Sequence, residues 1–153
     1  MRNLHLSVHR TFMETLLAEG EAEMGRVEAG LAILDEQLAE VERTGQQSMV
    51  SEMHRIRGRI LLRRAPADHA AAEASFRRAI EIARVQQTKS FELRATLALA
   101  KLYHATGRDK LVPELLVPVL AYFNKEVELP ELDEGHHLLD SITASSTTRT
   151  LLI

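Results

Sequence analysis

Apolar side chains recur along most of this chain at intervals of three and four residues, the spacing of one face of an α-helix. The most regular run is Leu31, Leu34, Leu38 and Val41. Breaks that contain glycine or proline separate such runs, and these residues commonly end helices. The pattern predicts three helix pairs and a closing helix, at residues 5–20 and 25–43, 48–64 and 68–86, 89–106 and 109–124, and 130–141.

The three predicted pairs align with one another at a period near 41 residues. Equivalent large positions in the second helices, separated by 42 and 40 residues, are Leu34, Phe76 and Leu116. Four residues before them stand Gly30, Ala72 and Val112, and a shared place in the first helices holds Gly58 and Ala100. Small residues there would let paired helices cross closely. The sequence therefore predicts an all-α fold, an α-solenoid of about three antiparallel helix pairs with a C-terminal capping helix.

Two features limit the regular pattern near the C-terminus. Pro113 falls in the first turn of its predicted helix, where a missing N–H costs little, whereas Pro118 falls inside it and predicts a kink or a break. Residues 142–153 are rich in Ser and Thr and show no apolar stripe, so we expect a flexible tail there. The predicted repeat domain covers residues 4–141.

Composition supports the helical prediction and excludes several classes of protein. Aromatic residues make up 4% of the chain, and the apolar residues are mostly Leu and Ala, which favour helix over strand. Without cysteine the chain has no disulfide and no thiol nucleophile. It contains no apolar run near the ~20 residues of a membrane span and no signal-peptide pattern at Met1 to Arg10. We therefore expect a soluble cytoplasmic protein with no membrane partner.

Residues 52–140 resemble a known family. The resemblance lies in the segments 52–62, 71–83, 86–95, 97–103, 130–134 and 138–140, and QQTKSFELRA at 86–95 is its most specific part. They are similar to the C-terminal tetratricopeptide-like (TPR-like) region of bacterial signalling proteins. In those proteins a class III adenylate/guanylate cyclase or a DNA-binding transcriptional-regulator domain precedes an AAA-type NTPase, and the repeats follow. The chain departs from that family at residues 48–50, which lack its aromatics, and at Pro113. No enzymatic part is covered, so the resemblance implies a sensing or docking module.

Candidate catalytic and metal-binding patterns are weak. Gly20 and Gly25 have the spacing of a phosphate-binding loop, but Arg26-Val27 follow in place of Lys and Ser/Thr, and no strand precedes them. His5 and His9 share a helix face at the i, i+4 spacing of metal ligands, but no useful acidic ligand accompanies them. We expect no enzyme activity, no cofactor and no metal site.

A cluster of basic residues is the strongest candidate for a binding surface. Net charge is −6 over residues 1–53, +6 over 54–94 and −3 over 95–153. The predicted partner-binding residues on the concave face are Arg55, Arg59, Arg63, Arg94 and Lys101. An acidic protein partner would suit them, because arginine pairs well with carboxylates. Alternatively, nearby carboxylates neutralise them, namely Glu52, Glu73, Glu81 and Glu92. Nucleic acid is disfavoured by the acidic flanks and the few aromatic residues.

The first predicted helix carries more apolar side chains than one neighbouring helix would cover. A terminal repeat normally has a polar outer face. We expect a homodimer through residues 4–17, with the self-association residues Leu6, Phe12, Met13 and Leu16. The alternative is a boundary whose native cover is missing.

Taken together, these patterns predict a non-catalytic protein–protein interaction module in bacterial signal transduction or transcription regulation. The alternatives are a nucleic-acid-associated regulator domain and a small-ligand-sensing helical domain. The partner itself is not identified.

Overall fold

The structure is a computed structural model that describes the chain from Arg2 to Thr150, with side chains described from Val8 to Ser146. Within that range the chain is helical, without strands, and this confirms the all-α part of the predicted fold class. Its helices are α1 (Arg2–Glu23), α2 (Val27–Thr44), α3 (Val50–Arg64), α4 (His69–Val85), α5 (Lys89–Ala105), α6 (Val112–Leu120) and α7 (Pro130–Thr150).

Consecutive helices pack against each other and run in opposite directions. Gly30, near the start of α2, lies against the carbonyl group of Ala18, near the end of α1. Ser51, at the start of α3, donates a 2.9 Å hydrogen bond to the carbonyl oxygen of Ala79, in the second half of α4. The odd-numbered helices also pack in succession, α1 on α3, α3 on α5 and α5 on α7. They form a second line of contacts along the protein.

The positions that the sequence predicts to be equivalent all lie in the core. The buried set includes Leu34, Phe76, Leu116, Gly30, Ala72, Val112, Gly58 and Ala100. A Cβ added to Gly30 would lie 2.5 Å from the carbonyl oxygen of Ala18, and one added to Gly58 would lie 2.5 Å from the Phe76 ring. The predicted close crossing is confirmed at these two glycines.

The second helix of the last pair is shorter than the predicted span of 109–124. Asp109–Leu111 form a 3₁₀ turn, and α6 runs only from Val112 to Leu120. Pro113 lies in the first turn, as predicted. Pro118 lies inside the helix, two residues before its end, and has no N–H to bond to the carbonyl group four residues earlier.

The closing helix is longer than the predicted span of 130–141. Helix α7 continues to Thr150, and Ile142 is buried against the core. Hydroxyl groups in this stretch fold back on the helix, and those of Thr143, Ser145 and Ser146 donate to carbonyl oxygens four residues earlier at 2.9–3.0 Å. The segment is thus helical, with its hydroxyl groups bonded to the preceding turn, although it has no continuous apolar stripe. Residues 151–153 lie outside the described range.

Candidate binding groove

A groove of about 620 Å³ lies between α3 and α5 and is bordered by the first turns of α7. We call it the odd-helix groove. Its apolar lining comes from Leu62, Leu97, Ala98, Leu102 and Ala105, and its charged lining from Arg55, Arg59, Arg94, Lys101, Glu131 and Glu134. Helical spacing produces this mixture, because residues three and four apart share a face. Arg55 and Arg59 on α3 therefore face the apolar and charged positions of α5.

Four of the five predicted partner-binding residues line this groove. Arg55 and Arg59 reach it from α3, and Arg94 and Lys101 reach it from α5. Arg63 does not line it and lies one turn further along α3, with Nη2 at 3.9 Å from Glu23 Oε1. The sequence thus identified side chains that lie together, but exposure divides them into two groups.

Arg55 is buried rather than displayed. Arg55 is only 6% exposed to solvent, and Glu52 only 4%. Nε and Nη2 of Arg55 bond to the two carboxylate oxygens of Glu52 at 3.1 and 2.8 Å. Glu19 of α1 lies 3.9 Å away. A fork of two parallel bonds to a buried carboxylate fixes this arginine in the protein.

Arg94 links three of the odd-numbered helices. From α5, its Nη1 lies 2.7 Å from Oε1 of Glu52 on α3, and its Nε lies 3.2 Å from Oε1 of Glu131 on α7. Glu52 therefore holds Arg55 and Arg94 at once. This arrangement ties α3, α5 and α7 together along the groove.

The remaining cations form ion pairs at the groove edge, of which that of Lys101 is exposed and that of Arg59 is part-buried. Arg59 pairs with Glu19 and lies 3.8 Å from Glu23, and Lys101 pairs with Glu134. The side chains of Arg59, Arg63 and Lys101 are about half exposed. Exposed pairs of this kind contribute only about 0–1 kcal/mol each. They can exchange partners at little cost.

Carboxylates balance the whole basic cluster. The five cations have within 4 Å the five carboxylates Glu19, Glu23, Glu52, Glu131 and Glu134. Of the four neutralising carboxylates suggested by sequence, only Glu52 acts here. Four of these five, all except Glu52, stand more than thirty residues from the cations they pair with, so local spacing gave no signal for them.

A second polar cluster joins α4 to α5. Arg108 Nη1 donates to Glu73 Oε2 at 2.8 Å, and the Tyr103 hydroxyl donates to Glu73 Oε1, also at 2.8 Å. Arg77 donates hydrogen bonds to Glu73 and to the Tyr103 hydroxyl. The Arg108 guanidinium lies 4.2 Å from the centre of the Tyr103 ring. Burial raises the pKa of Glu73, but hydrogen bonds from Arg108, Tyr103 and Arg77 outweigh it and hold that pKa below its usual value. Burial, followed by the bond to Glu73, raises the pKa of Tyr103.

Glu92, at the start of α5, is a second buried carboxylate besides Glu52. It accepts bonds of 2.7 Å from Lys89 Nζ and 2.8 Å from Arg84 Nε. Burial raises its pKa, but these two cations outweigh the burial and hold the pKa below its usual value. Glu81, the last suggested neutraliser, pairs with Arg78 at 2.7 Å on an exposed face.

Of the histidines whose side chains are described, His69 lines the groove, whereas His54 and His104 do not. His54 is half-buried, and burial, followed by the positive charges of Arg78 and Arg57, lowers its pKa. His104 is exposed, with Nδ1 at 2.7 Å from Asp109 Oδ1. The side chain of His5 lies outside the described residues. Among the side chains that are described, no group of three or more His, Asp or Glu is arranged to hold a metal ion.

No helix in the described part of the chain is both long and apolar enough to cross a membrane.

The predicted self-association residues lie on the outer side of α1. Phe12, Met13 and Leu16 are 43%, 62% and 45% exposed. Leu17, beside them, is exposed to a similar extent. Leu6 belongs to α1, but its side chain lies outside the described residues.

Comparison of this chain with protein-family models, with curated proteins and with solved structures found no match. The resemblance of residues 52–140 to the bacterial signalling region thus remains an expectation.

Proposed function

We propose that this chain is a protein–protein interaction module that binds a segment of another protein in the odd-helix groove. The observation that carries the proposal is the composition of that groove, apolar along its lining and charged along its edge. Such a surface suits a peptide whose apolar side chains enter the groove while its carboxylates meet the edge.

We further propose that the helix pairs form a TPR-like solenoid whose concave side carries the groove. Support comes from the contacts of α1 with α3, α3 with α5 and α5 with α7, since first helices line the inner side of such stacks. The buried Glu52 contacts both Arg55 and Arg94 and would keep the first helices at a fixed spacing.

An acidic partner would bind by exchange. Arg59, Arg63 and Lys101 are exposed, and their present carboxylate partners are worth little to stability. A partner carboxylate can replace Glu19, Glu23 or Glu134. Arg55 would stay in place, because removal of its partner would leave a buried charge uncompensated.

The resemblance supports a role in bacterial signalling or transcription regulation without catalysis. A second proposed interaction of the same module is self-association through the outer face of α1. A small-ligand-sensing role is the second candidate function, because the volume of the groove lies within the range of small-molecule sites, roughly 300–1,000 Å³. Nucleic acid is disfavoured by the acidic segments that flank the basic cluster and by the few aromatic residues of the chain.

Selection from a random peptide library displayed on phage would test the main proposal. We expect peptides with apolar residues flanked by Asp or Glu. Ala98→Trp, which fills the groove, should abolish their binding, whereas Ala32→Trp, at an exposed alanine of α2, should not. Circular dichroism melting would show that both variants fold.

A charge swap tests the groove edge. Lys101→Glu alone should weaken the selected peptides and also break the pair with Glu134. Lys101→Glu combined with Glu134→Lys restores that pair with reversed polarity, so stability should recover. If the selected peptides bound Ala98→Trp as well as they bind the wild type, the groove would not be their binding site. Binding by small molecules alone, lost in Ala98→Trp, would establish the second candidate instead.

A further inference from the structure

Helix α1 turns its smaller, more polar side towards the protein. The buried side chains that face its neighbours are Thr11, Thr15, Ala18 and Ala22. The large apolar side chains lie on the opposite, outer side: Phe12, Met13, Leu16, Leu17 and, at the end, Met24. No described residue covers this outer face. A helix that pointed its best apolar surface at water would be an unfavourable end for the fold.

Gly20 lies in the centre of the same outer face. A glycine inside a helix costs about 0.5–1 kcal/mol relative to alanine. A Cβ added to Gly20 would meet nothing within 4 Å, so packing within this chain does not require it. Close approach of a second helix would explain the absence of a side chain there.

The charges of α1 are arranged against its own dipole. Residues 2–10 contain Arg2 and Arg10 and no carboxylate, whereas residues 14–23 contain four glutamates and no Lys or Arg. A helix is stabilised by the opposite arrangement, with acids at its N-terminus and bases at its C-terminus. An antiparallel neighbour with the same sequence would reverse the cost, since each basic end would lie beside an acidic end.

We infer that two copies of this chain pair through antiparallel α1 helices, with the two-fold axis near Leu16 and Arg10 of each copy beside Glu21 of the other. This inference rests on the proposed self-association and specifies its geometry. Arg10 and Glu21 are eleven residues apart and so share one flank of α1. A two-fold axis perpendicular to antiparallel helices brings that flank against itself with its direction reversed. The midpoint of the pair then falls next to Leu16.

Both charged residues have partners within the chain that can give way. Arg10 lies 3.5 Å from Glu40, with its side chain 61% exposed. Glu21 pairs with Arg26, which is itself exposed. A bond to the second copy would replace a long pair for Arg10 and add a second cation for Glu21.

A parallel pairing would place like charges together. The flank with Glu21 would then face the flank with Glu19 and Glu23 at the same height of the second copy. The nearby cations of α3, Arg59 and Arg63, contact Glu19 and Glu23 but not Glu21. Glutamates from both copies would crowd at one end, and like charges at such spacing are destabilising.

The outer face is large enough for a moderate interface. Five apolar side chains, each about half exposed, offer roughly 400 Å² per copy, within the range of functional patches on monomers. Two copies with their polar rims would approach the lower limit of stable interfaces, about 1,200 Å² in total. We expect a dissociation constant on the order of micromolar.

Sedimentation equilibrium across the micromolar range tests whether the dimer exists. The wild type should pass from monomer to dimer with rising concentration. Leu16→Glu should remain monomeric, while the control Val117→Glu, at an equally exposed apolar side chain on α6, should dimerise as the wild type does. A wild type that stays monomeric would overturn both the self-association and its geometry.

Cysteine cross-linking tests the direction, because the natural chain has no cysteine of its own. In the antiparallel pair, Leu16→Cys lies near the axis and should form a disulfide with itself. Residue 9 of one copy would lie about 21 Å along the axis from residue 9 of the other, at 1.5 Å per residue, so His9→Cys alone should not cross-link. Mixed His9→Cys and Met24→Cys chains should cross-link to each other with a short bis-maleimide. Dimers in which His9→Cys and Met24→Cys each cross-link to themselves would overturn the antiparallel geometry and leave self-association standing.

Discussion

Substitution of alanine for glycine at two helix positions should have opposite effects on stability. Gly30 of α2 and Gly20 of α1 both lie about four residues from a helix end, and neither has positive φ. Alanine would gain helix propensity at both sites. The sites differ in their surroundings, since a Cβ at Gly30 would lie 2.5 Å from the backbone oxygen of Ala18 and one at Gly20 would have open space.

The expected magnitudes follow from these surroundings. Gly20→Ala should stabilise the monomer by about 0.5–1 kcal/mol, the usual cost of glycine inside a helix. At Gly30 the same gain is opposed by an obstacle that belongs to the main chain and cannot rotate away. Helices α1 and α2 must separate, and overpacking of this kind costs about 1–3 kcal/mol. We expect a net loss of about 1–2 kcal/mol for Gly30→Ala.

Urea denaturation followed by circular dichroism at 222 nm would measure both changes in the free energy of unfolding. Thermal melts should place Gly20→Ala above Gly30→Ala by about 3–12 °C, at roughly 2–4 °C per kcal/mol for a chain of this size. Protein concentration must lie below the range of any self-association, because Gly20 belongs to the proposed interface.

Equal stabilisation by the two substitutions would refute the close crossing of α1 and α2 at Gly30. Destabilisation by both would show that Gly20 is constrained within the monomer, contrary to its open surroundings. Gly58→Ala adds an independent comparison, because its obstacle is the buried ring of Phe76 and not the backbone.

Three further predictions concern buried charge and the closing helix. Glu73 and Glu92 have pKa values below the ordinary 4.5, so their stabilising contribution is present above that value and is lost as pH falls through the lower, folded-state pKa. The urea midpoint of unfolding should therefore decrease below about pH 4.5. Glu92→Gln should reduce this dependence of the midpoint on pH. Glu52→Gln should destabilise the protein by about 3–5 kcal/mol, because it removes the charge that balances the buried Arg55, and a change below about 1 kcal/mol in urea unfolding would contradict this role. Ile142→Ala should cost about 2–4 kcal/mol if the second half of α7 packs on the core, whereas an unchanged melting temperature would show that this half contributes nothing.

Helix bounds and buried positions that depend on local periodicity were predicted well from the sequence. The bounds of α2 to α5 lie within two residues of the predicted helices, because an apolar stripe and a glycine or proline break define each end. The alignment of Gly30, Ala72 and Val112 also identified buried positions, since each must fit against the preceding helix. The early end of α6 lies close to the kink or break that Pro118 predicts, whereas the length of α7 was missed because residues 142–150 carry no apolar stripe.

The groove was only half predictable for a related reason. Helical spacing placed Arg55 and Arg59 on one face of α3. It could not show that Glu19 of α1 would contact these two arginines, or that Glu131 of α7 would contact Arg94. Exposure could not be read from spacing either, because the Arg55 side chain is buried whereas that of Arg59, one turn further along α3, is about half exposed. Charge partners that come from distant parts of the chain become visible only once the helices are packed.

The ion pairs along the odd-numbered helices differ in solvent exposure, and this difference gives them different roles. The pair of Arg55 with Glu52 is almost fully buried, so neither charge can leave without a large desolvation cost, and the pair holds α3 in a fixed position for Arg94 to join. The pair of Lys101 with Glu134 is half exposed and nearly neutral in energy, so either charge can turn to a partner. Loss of Glu52 should therefore impair folding and binding together, whereas the swap of Lys101 and Glu134 should change binding alone. If both changes affected stability equally, the edge would be part of the scaffold and the groove would lack exchangeable charges for an acidic segment.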